Sequence, residues 1–385
     1  MKVRLTASGF RRVAAGNPWV KREHVADEID RTADTVELTR VDGRVVATAA
    51  VAAGERIALR VLMRGDAPWS LAQLEARVRE CAAWRARLFP GADAYRVVSG
   101  EADGIPGLFI DRFADTVVVQ ALTLIWDRRI GDLLDVVRRV FDPTRVVLRN
   151  DGSGRDFEGL PRERRVVFGE SSGEAVFSEG AVRFSTNVLT DAKTGAFLDQ
   201  RENHLRVGEL AFGDVLDAFT YHGGFALHAA ARARTVLALD ERRENAEAAA
   251  RNVVLNGFRN VKVETANAFD RLRAYERNGD RFDVVVLDPP GLAKRHAGID
   301  AALRAYREIN LRAFRIVQPG GLVVTCSCSG SLSAHGFAEV VRDAILGAHR
   351  EVQLVERRGA SRDHPVHPML TETDYLKCFI YRVLR

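Results

Sequence analysis

From about Asn187 onward, short apolar runs typical of β-strands alternate with long amphipathic segments typical of helices. This alternation predicts βαβ units and therefore a parallel sheet covered by helices. Four of the apolar runs are each followed by a carboxylate or amide side chain, at Asp217, Asp240, Asn267 and Asp288. Ligands of open α/β sheets bind at the carboxyl ends of the strands. The ordered set therefore predicts one binding site along one edge of the sheet.

The turn after the first of these strands predicts the class of cofactor. It contains Phe219, Tyr221 and Gly223, and its glycines let the backbone approach a ligand closely. Asp240 follows roughly 20 residues later, where such folds bind ribose hydroxyls. The G-x-G-x-x-G spacing that seats a pyrophosphate is missing. A nucleoside cofactor without phosphates is favoured, and a dinucleotide oxidoreductase is a distant alternative.

Two later strand ends extend the predicted cofactor site. Asn267 and Phe269 offer an amide and an aromatic ring to an adenine. Asp288 ends a buried strand and begins the rigid run Asp288-Pro289-Pro290, which places its carboxylate at the predicted binding edge. A strand followed by Asp-Pro-Pro is also an ordinary stop signal, and that interpretation stays open for this motif alone.

Two thiols follow the next strand, in the run Thr325-Cys326-Ser327-Cys328-Ser329. A pyrimidine C5 is a poor nucleophile, so its methylation needs a thiolate that adds at C6 and generates an enamine. Cys328 is the predicted nucleophile, and Asp288 the group that holds the base edge and assists protonation at N3. Cys328 as a buried apolar residue remains an alternative, and so does guanine N7 methylation, which needs no cysteine. Exocyclic amine methylation lacks its usual aromatic platform, since Gly291 follows Pro290.

Charge and cysteine content narrow the classes of protein to which this chain can belong. The 385-residue chain has a net charge of +5 and 57 lysines and arginines, most of them arginine, which suits phosphate recognition but also follows from genomic base composition. Its four cysteines are too few and too unevenly spaced for a disulfide framework, and we expect no membrane span, secretory leader or metal site. We expect a cytoplasmic protein that acts on nucleic acid.

The N-terminal half predicts two smaller domains. Short strands separated by turns as far as about Arg64 indicate a β-barrel-like module, and apolar residues from Leu71 to Leu88 recur at helical spacing. Strands and one helix from Ile130 to Val140 then indicate a small α+β domain. The predicted boundaries are 1–75, 76–186 and 187–385.

Several motifs together resemble one family, the RlmI-like large-subunit ribosomal RNA methyltransferases with an N-terminal PUA domain. The resemblance covers nearly the whole chain. It is carried by Asn17-Pro18-Trp19-Val20, Gly104-Ile105-Pro106-Gly107-Leu108, Arg149-Asn150-Asp151, Lys193-Thr194-Gly195, Phe197-Leu198-Asp199-Gln200-Arg201, Tyr306, Ile309-Asn310, Thr325-Cys326-Ser327-Cys328-Ser329, Asp363-His364-Pro365 and Tyr375-Leu376-Lys377.

The resemblance implies a fold and an activity. The fold is an N-terminal β-barrel PUA domain for RNA docking, a central small α+β domain and a C-terminal class I (Rossmann-like) α/β methyltransferase domain with seven strands. The activity is methylation of cytosine C5 in large-subunit ribosomal RNA with S-adenosylmethionine. The substrate is naked RNA or an assembly intermediate, and a homodimer is possible.

The resemblance also implies roles for individual residues. The family's nucleophile corresponds to Cys328, with Cys326 in reserve, and Asp199, Gln200 and Arg201 help to shape the cofactor pocket with Asp217 and Asp240. Apart from the resemblance, the basic residues Lys294 and Arg295 are candidate RNA contacts, with ordinary solvated charges as the alternative of equal weight.

Three positions depart from the family pattern. Gly291-Leu292 replace the usual Lys-Phe, His222 stands where Thr is common, and Asn267 where Asp is common. Because relatives with this domain order methylate guanine N7 or other cytosines, guanine N7 methylation stays open. A non-catalytic RNA-binding assembly factor is the alternative from a different class.

Overall fold

The computed structural model describes residues 1–54, 56–292 and 298–385, which form two compact units. The first unit comprises Met1–Ala175, Asn187–Ala196 and Asp363–Thr371, and the second comprises Val176–Thr186, Phe197–Arg362 and Glu372–Arg385. Lys294 and Arg295 lie outside the described residues. No helix in the described part of the chain is long and apolar enough to cross a bilayer.

The first unit begins with a five-stranded sheet in the order β1-β3-β4-β5-β2. Its elements are β1 (Lys2–Arg4), α1 (Ala7–Ala14), β2 (Trp19–Val20), β3 (Thr35–Thr39), β4 (Val45–Val51) and β5 (Leu59–Arg64). Thr6 caps α1, since its hydroxyl accepts the Gly9 amide at 3.1 Å. The sheet confirms the β-rich module that the short runs and turns predict.

A second five-stranded sheet, in the order β10-β9-β8-β7-β6, follows in the same unit. Its elements are α2 (Leu71–Leu88), β6 (Ala94–Ser99), β7 (Leu108–Phe113), β8 (Thr116–Ala121), α3 (Leu124–Arg128), α4 (Ile130–Phe141), β9 (Arg145–Asn150) and β10 (Glu163–Phe168). Both helices predicted from apolar spacing are confirmed, as α2 and α4. Arg60 of β5 forms ion pairs with Glu101 and Glu158 at 3.0 and 2.9 Å and so links the two sheets.

The second unit is built around a seven-stranded sheet. A two-stranded ribbon of β11 (Glu174–Glu179) and β12 (Val182–Asn187) comes just before it in the chain. The sheet and its helices are α5 (Arg201–Leu210), β13 (Asp214–Asp217), α6 (Gly224–Ala230), β14 (Thr235–Asp240), α7 (Arg243–Asn256), β15 (Val261–Thr265), α8 (Ala268–Asn278), β16 (Phe282–Leu287), α9 (Ile299–Ile316), β17 (Val317–Ser327), α10 (Ala334–Ala348), β18 (Val352–Arg358) and β19 (Lys377–Val383).

The strand order of this sheet determines where the binding crevice lies. The order is β15-β14-β13-β16-β17-β19-β18, with β19 antiparallel to both neighbours and the other pairs parallel. Neighbouring residues alternate between two buried faces, so Leu216 packs into one core and Val215 into the other. The chain runs outward from β13 in one direction and then returns to β16 on its other side. Such a switch point opens a crevice at the carboxyl ends of the strands.

Candidate active site

Asp217 organises the turn at the carboxyl end of β13. Its side chain is fully buried, and Oδ2 accepts the Thr220 hydroxyl at 2.7 Å and the Ala226 amide at 3.1 Å. Burial raises the pKa of Asp217 to about 6, against the lowering effect of the Thr220 hydrogen bond. The carboxylate predicted to be a ligand therefore also holds the first turn of α6 against the strand.

The turn itself has an unusual backbone conformation. Tyr221 and Gly223 both have positive φ, at 49° and 93°, and the Gly223 amide donates to the Thr220 carbonyl at 2.8 Å. The Tyr221 ring lies edge-on against Phe197 with centroids 4.9 Å apart, and the Phe219 ring packs edge-on against Phe269 at 6.3 Å. Two residues of the turn therefore belong to aromatic ring pairs.

Asp240 joins this turn to the end of β14. Its Oδ2 accepts the Tyr221 amide at 3.0 Å, while Oδ1 accepts the Arg242 amide at 2.9 Å and the Asn245 side chain at 3.0 Å. The residue is half-buried at the predicted ligand edge. Backbone amides on two loops orient it, which suits an acceptor of two vicinal hydroxyls.

Asn267 is exposed and caps α8. Its Oδ1 accepts the Asp270 amide at 3.2 Å, and its Nδ2 donates to Glu241 at 3.2 Å. The side-chain amide therefore has structural partners of its own at the end of β15. Phe269, one residue into the helix, is half-buried against Phe219.

A short 3-10 helix, Leu198–Gln200, carries two of the predicted cofactor residues. Asp199 is buried, and its Oδ2 accepts the Tyr375 hydroxyl at 2.8 Å. Gln200 donates from Nε2 to Oδ2 of Asp288 at 2.9 Å. Arg201 begins α5 and is also buried. The structure therefore brings Gln200 and Asp288, predicted from distant parts of the sequence, into direct contact.

Asp288 has the most altered acidity of these carboxyls. Burial, with the carboxylates of Asp199 and Asp217, raises its pKa to about 7 against the lowering effects of His204 and the Gln200 hydrogen bond. The residue keeps partial exposure at the crevice. Near neutral pH, Asp288 is thus present in both protonation states, which lets it donate or accept a proton.

The two cysteines after β16 occupy different environments. Cys326 has no exposed surface and lies opposite Cys378 on β19, and burial raises its thiol pKa well above the usual value. Cys328 follows the last residue of β17 and is half-buried. A methyl group placed on Gly291 would lie 3.6 Å from Cys328 Sγ, so this thiol faces the loop that begins at Asp288. Geometry and exposure favour Cys328 as the reactive thiol.

Hydroxyl groups hold the chain on both sides of Cys328. Ser327 donates from Oγ to the Tyr306 hydroxyl at 3.0 Å, and that hydroxyl lies 3.1 Å from Oγ of Ser329. Tyr306 on α9 is fully buried. The Tyr306 hydroxyl therefore holds the segment that carries the thiol.

Sequence reasoning missed a buried imidazole–carboxylate cluster behind the β13 turn. Oε1 of Glu179 lies 2.7 Å from Nδ1 of His204 and 3.1 Å from Nε2 of His228. Burial would raise the pKa of Glu179, but the two histidines lower it to about 2. His204 in turn lowers the pKa of Asp217 and of Asp288. Through His204, the cluster therefore affects the acidity of two carboxyls of the candidate site.

Comparison with known proteins identifies the two regions of the chain. A family model described as S-adenosylmethionine-dependent methyltransferase matches residues 166–382, and one described as PUA-like domain matches residues 3–64. The chain is 33% identical over 379 residues to the ribosomal RNA large subunit methyltransferase I of Klebsiella pneumoniae (strain 342), covering 96% of this chain and 94% of that protein. The chain belongs to this methyltransferase family.

Another relative agrees with this assignment, and two solved structures resemble the chain in fold. The methyltransferase is 34% identical over 386 residues to a protein of the same name from Aliivibrio fischeri (strain MJ11), with 96% of each chain covered. SMU.776, a methyltransferase solved with SAH, superposes with a TM-score of 0.83 at 15% identity, covering both chains completely. A Streptococcus mutans methyltransferase superposes at 0.80 with 16% identity and equal coverage. These two structures share the fold.

The site has the chemistry that S-adenosylmethionine requires, and the methyltransferase uses this cofactor. The cofactor presents an adenine, two ribose hydroxyls and a cationic sulfonium with an amino-acid tail. The crevice offers aromatic rings at Phe219 and Tyr221, an oriented carboxylate at Asp240, and acidic groups at Asp199 and Asp288. The residues present fit the cofactor.

Proposed function

We propose that this methyltransferase forms 5-methylcytosine in large-subunit ribosomal RNA, with Cys328 as the nucleophile that adds to C6 of the cytosine. The observation that carries the proposal is the approach of Cys328 Sγ to the loop after Asp288, at the same sheet edge as the cofactor residues. The printed name of the relatives, which cover nearly the whole chain, supports the RNA substrate.

Each residue of the proposed cofactor site meets one part of the ligand. Asp240 accepts the ribose hydroxyls, and Phe219, Tyr221 and Asn267 border the adenine. Asp217 and Gly223 shape the turn that lets the backbone approach the cofactor. Asp199, Gln200 and Arg201 line the side next to Asp288, where carboxylates favour the cationic end.

The proposed chemistry uses Cys328 and Asp288 in one sequence. The Cys328 thiolate forms a bond to C6 while neutral Asp288 gives a proton to N3, which leaves electron density at C5. Bound S-adenosylmethionine supplies an electrophilic methyl group to that carbon. C5 then gives its proton to solvent water, the bond between C6 and Cys328 breaks, and the aromatic ring and the thiolate are restored. N3 returns its proton to Asp288.

Gly291 creates the space in which the base would lie. Most members of the resembled family have a lysine there, followed by phenylalanine, whereas this chain has Gly291-Leu292. A hypothetical methyl group on Gly291 would lie at ordinary contact distance from the Cys328 thiol, and among the described residues other than its chain neighbours no other atom lies within 4 Å of it. A target base must leave its helical stack to reach such a pocket.

RNA docking is assigned to the PUA-like sheet of the first unit. A cleft of about 370 Å³ between α1 and the β3–β4 turn is lined by Phe10, Arg40, Arg44 and Arg64, among other residues. The Arg40 guanidinium lies 5.0 Å from the centre of the Phe10 ring, while Arg64 donates to backbone carbonyls of Val13 and Asn17. Arg40 and Arg44 are exposed and suit phosphate oxygens.

The remaining expectations about organisation stay predictions. We keep residues 1–75 as the RNA-binding PUA domain, 76–186 as the central α+β domain and 187–385 as the methyltransferase domain. Naked RNA or an assembling subunit is the substrate, and a homodimer stays possible.

Mapping of ribosomal RNA from a deletion strain tests the proposed function. Bisulfite sequencing with mass spectrometry is expected to show loss of one 5-methylcytosine, restored by the wild-type chain but not by Cys328→Ala. An unchanged cytosine pattern with loss of a 7-methylguanine would replace the proposal by guanine N7 methylation. No change in any base, together with retained binding to ribosomal RNA, would indicate a non-catalytic assembly factor.

A further inference from the structure

A buried lysine lies at the start of β19, next to the segment that carries the candidate nucleophile. Lys377 is 2% exposed, which is rare for a lysine because burial of an ammonium group costs free energy. Its Nζ donates to the backbone carbonyls of Ser329 at 2.7 Å and of Tyr375 at 2.8 Å. Both acceptors are neutral, so they satisfy donors of the ammonium but do not neutralise its charge.

The position of Lys377 relative to Cys328 follows from the strand register. Lys377 lies opposite Ser327, the last residue of β17, and Cys328 comes next in the chain. The carbonyl that accepts from Nζ belongs to Ser329, directly after Cys328. Burial lowers the pKa of Lys377 to about 8, and the charges of Cys328 and Asp374 oppose that shift. The register and the shared Ser329 carbonyl therefore place the ammonium next to the segment that carries the thiol.

We propose that Lys377 is a positioning residue that holds a positive charge beside Cys328 and stabilises its thiolate. This inference rests on the proposed function, because it assigns the activation of the nucleophile named there. A thiolate is the reactive form of cysteine, and a neighbouring cation favours that form. The Tyr306 hydroxyl, bonded to the serines on either side of Cys328, holds the segment that carries the thiol.

A purely structural role for Lys377 is the competing explanation, since its two hydrogen bonds tie the Ser329 and Tyr375 carbonyls together. Lys377→Gln separates the two roles. Glutamine keeps two N–H donors that can serve the same carbonyls, but it removes the charge. Lys377→Arg keeps the charge, and Lys262→Gln makes the same chemical change at an exposed lysine of β15, in the same sheet.

The test is the pH dependence of alkylation of Cys328 by iodoacetamide in the full chain, without RNA or cofactor, followed by peptide mass spectrometry. We expect the wild-type rate to reach half its maximum below the midpoint of about 8.5 for an ordinary thiol. Lys377→Gln is expected to move the midpoint upward by about one unit or more, a roughly tenfold lower rate at pH 7. Lys377→Arg and Lys262→Gln are expected to keep a low midpoint.

Two results would overturn the inference. One is a wild-type midpoint at or above that of an ordinary thiol, which decides the matter even if Lys377→Gln fails to fold. The other is a folded Lys377→Gln variant, checked by its melting temperature, with an unchanged midpoint. Failure of the proposed function looks different, because Cys328→Ala would then retain methyl transfer while the alkylation shift persisted.

Discussion

The side-chain amide of Gln200 donates a 2.9 Å hydrogen bond to Oδ2 of Asp288. The bond joins the 3-10 helix before α5 to the loop after β16, two segments separated by 88 residues. It orients the Asp288 carboxyl in the crevice, and its effect alone would lower the pKa of that group. Burial and the nearby carboxylates of Asp199 and Asp217 outweigh it, so Asp288 stays protonated to near neutral pH.

This acidity predicts the pH profile of the reaction. Because neutral Asp288 supplies the proton to N3, we expect the single-turnover rate of methyl transfer to fall on the alkaline side as pH rises through about 7. Asp288→Asn should lower the rate by about 10²-fold or more and remove that alkaline limb. Asp343→Asn on α10, an exposed position, is the control and should keep the wild-type profile. An unaltered limb in Asp288→Asn would assign the proton to another group.

The raised pKa of Asp217 predicts that stability depends on pH. Its pKa rises from 3.8 to about 6 on folding, so the folded state binds more protons between these values and stability falls as pH rises through them. Asn carries no charge at any pH. Relative to wild type, Asp217→Asn should therefore gain about 2.4 kcal/mol in free energy of unfolding between pH 4 and pH 7, which is the part of the pKa shift that falls in this range at about 1.36 kcal/mol per pKa unit. Urea unfolding at both pH values checks this, and a pH-independent difference would refute it.

Replacement of Asp240 is expected to lower cofactor affinity without unfolding the protein. Its carboxylate is proposed to accept the two ribose hydroxyls, and hydrogen bonds to charged groups contribute about 1.5–3 kcal/mol each. We expect Asp240→Asn, which keeps an oxygen acceptor for the Tyr221 amide, to weaken S-adenosylmethionine binding at least about tenfold by calorimetry. Glu244→Gln, an exposed position on α7, should bind normally. Equal affinities in both variants would remove Asp240 from the cofactor site.

The arginines of the PUA-like cleft predict a change in salt dependence. If Arg40 and Arg44 each contact one phosphate of single-stranded RNA, their joint replacement by Ala should reduce the slope of log affinity against log salt by about 1.4. Filter binding of a large-subunit ribosomal RNA transcript at several salt concentrations measures the slope. The paired control Arg243→Ala with Arg342→Ala removes two exposed arginines of α7 and α10. A wild-type slope in the cleft variant would mean that RNA binds elsewhere.

The sequence allows much of the fold and of the site edge to be predicted. The alternation of apolar and polar residues identifies α2 and α4 and the seven-stranded sheet, because burial of one face imposes a period on each element. Asp217, Asp240 and Asp288 fall at strand ends in the structure as the pattern requires. Local periodicity is enough for these features.

The difference between the two thiols depends on tertiary structure. Cys326 and Cys328 are two residues apart, so strand alternation alone places them on the same face. The strand ends at Ser327, which leaves Cys326 buried against β19 and Cys328 beside the loop after Asp288. The position of that end is set by packing of distant segments, which the sequence pattern does not contain.

The electrostatic partners of the site also cannot be predicted from local sequence patterns. Glu179 meets His204 across 25 residues, and Lys377 reaches the Ser329 carbonyl across 48 residues. The residues next to each of these side chains in the sequence do not distinguish it from an ordinary charged residue. Only the folded second unit brings them together.

Trapping of the covalent adduct is the most direct test of the account. With a large-subunit ribosomal RNA transcript that contains 5-fluorocytidine, C5 has no proton to lose after methylation, so the bond from C6 to sulfur cannot break by elimination. We predict a protein–RNA complex that resists denaturation, requires S-adenosylmethionine and maps to Cys328 by peptide mass spectrometry. Cys326→Ala should still form it and Cys328→Ala should not. Methylation of the natural transcript at full rate by Cys328→Ala, or an adduct at any other residue, would contradict the account.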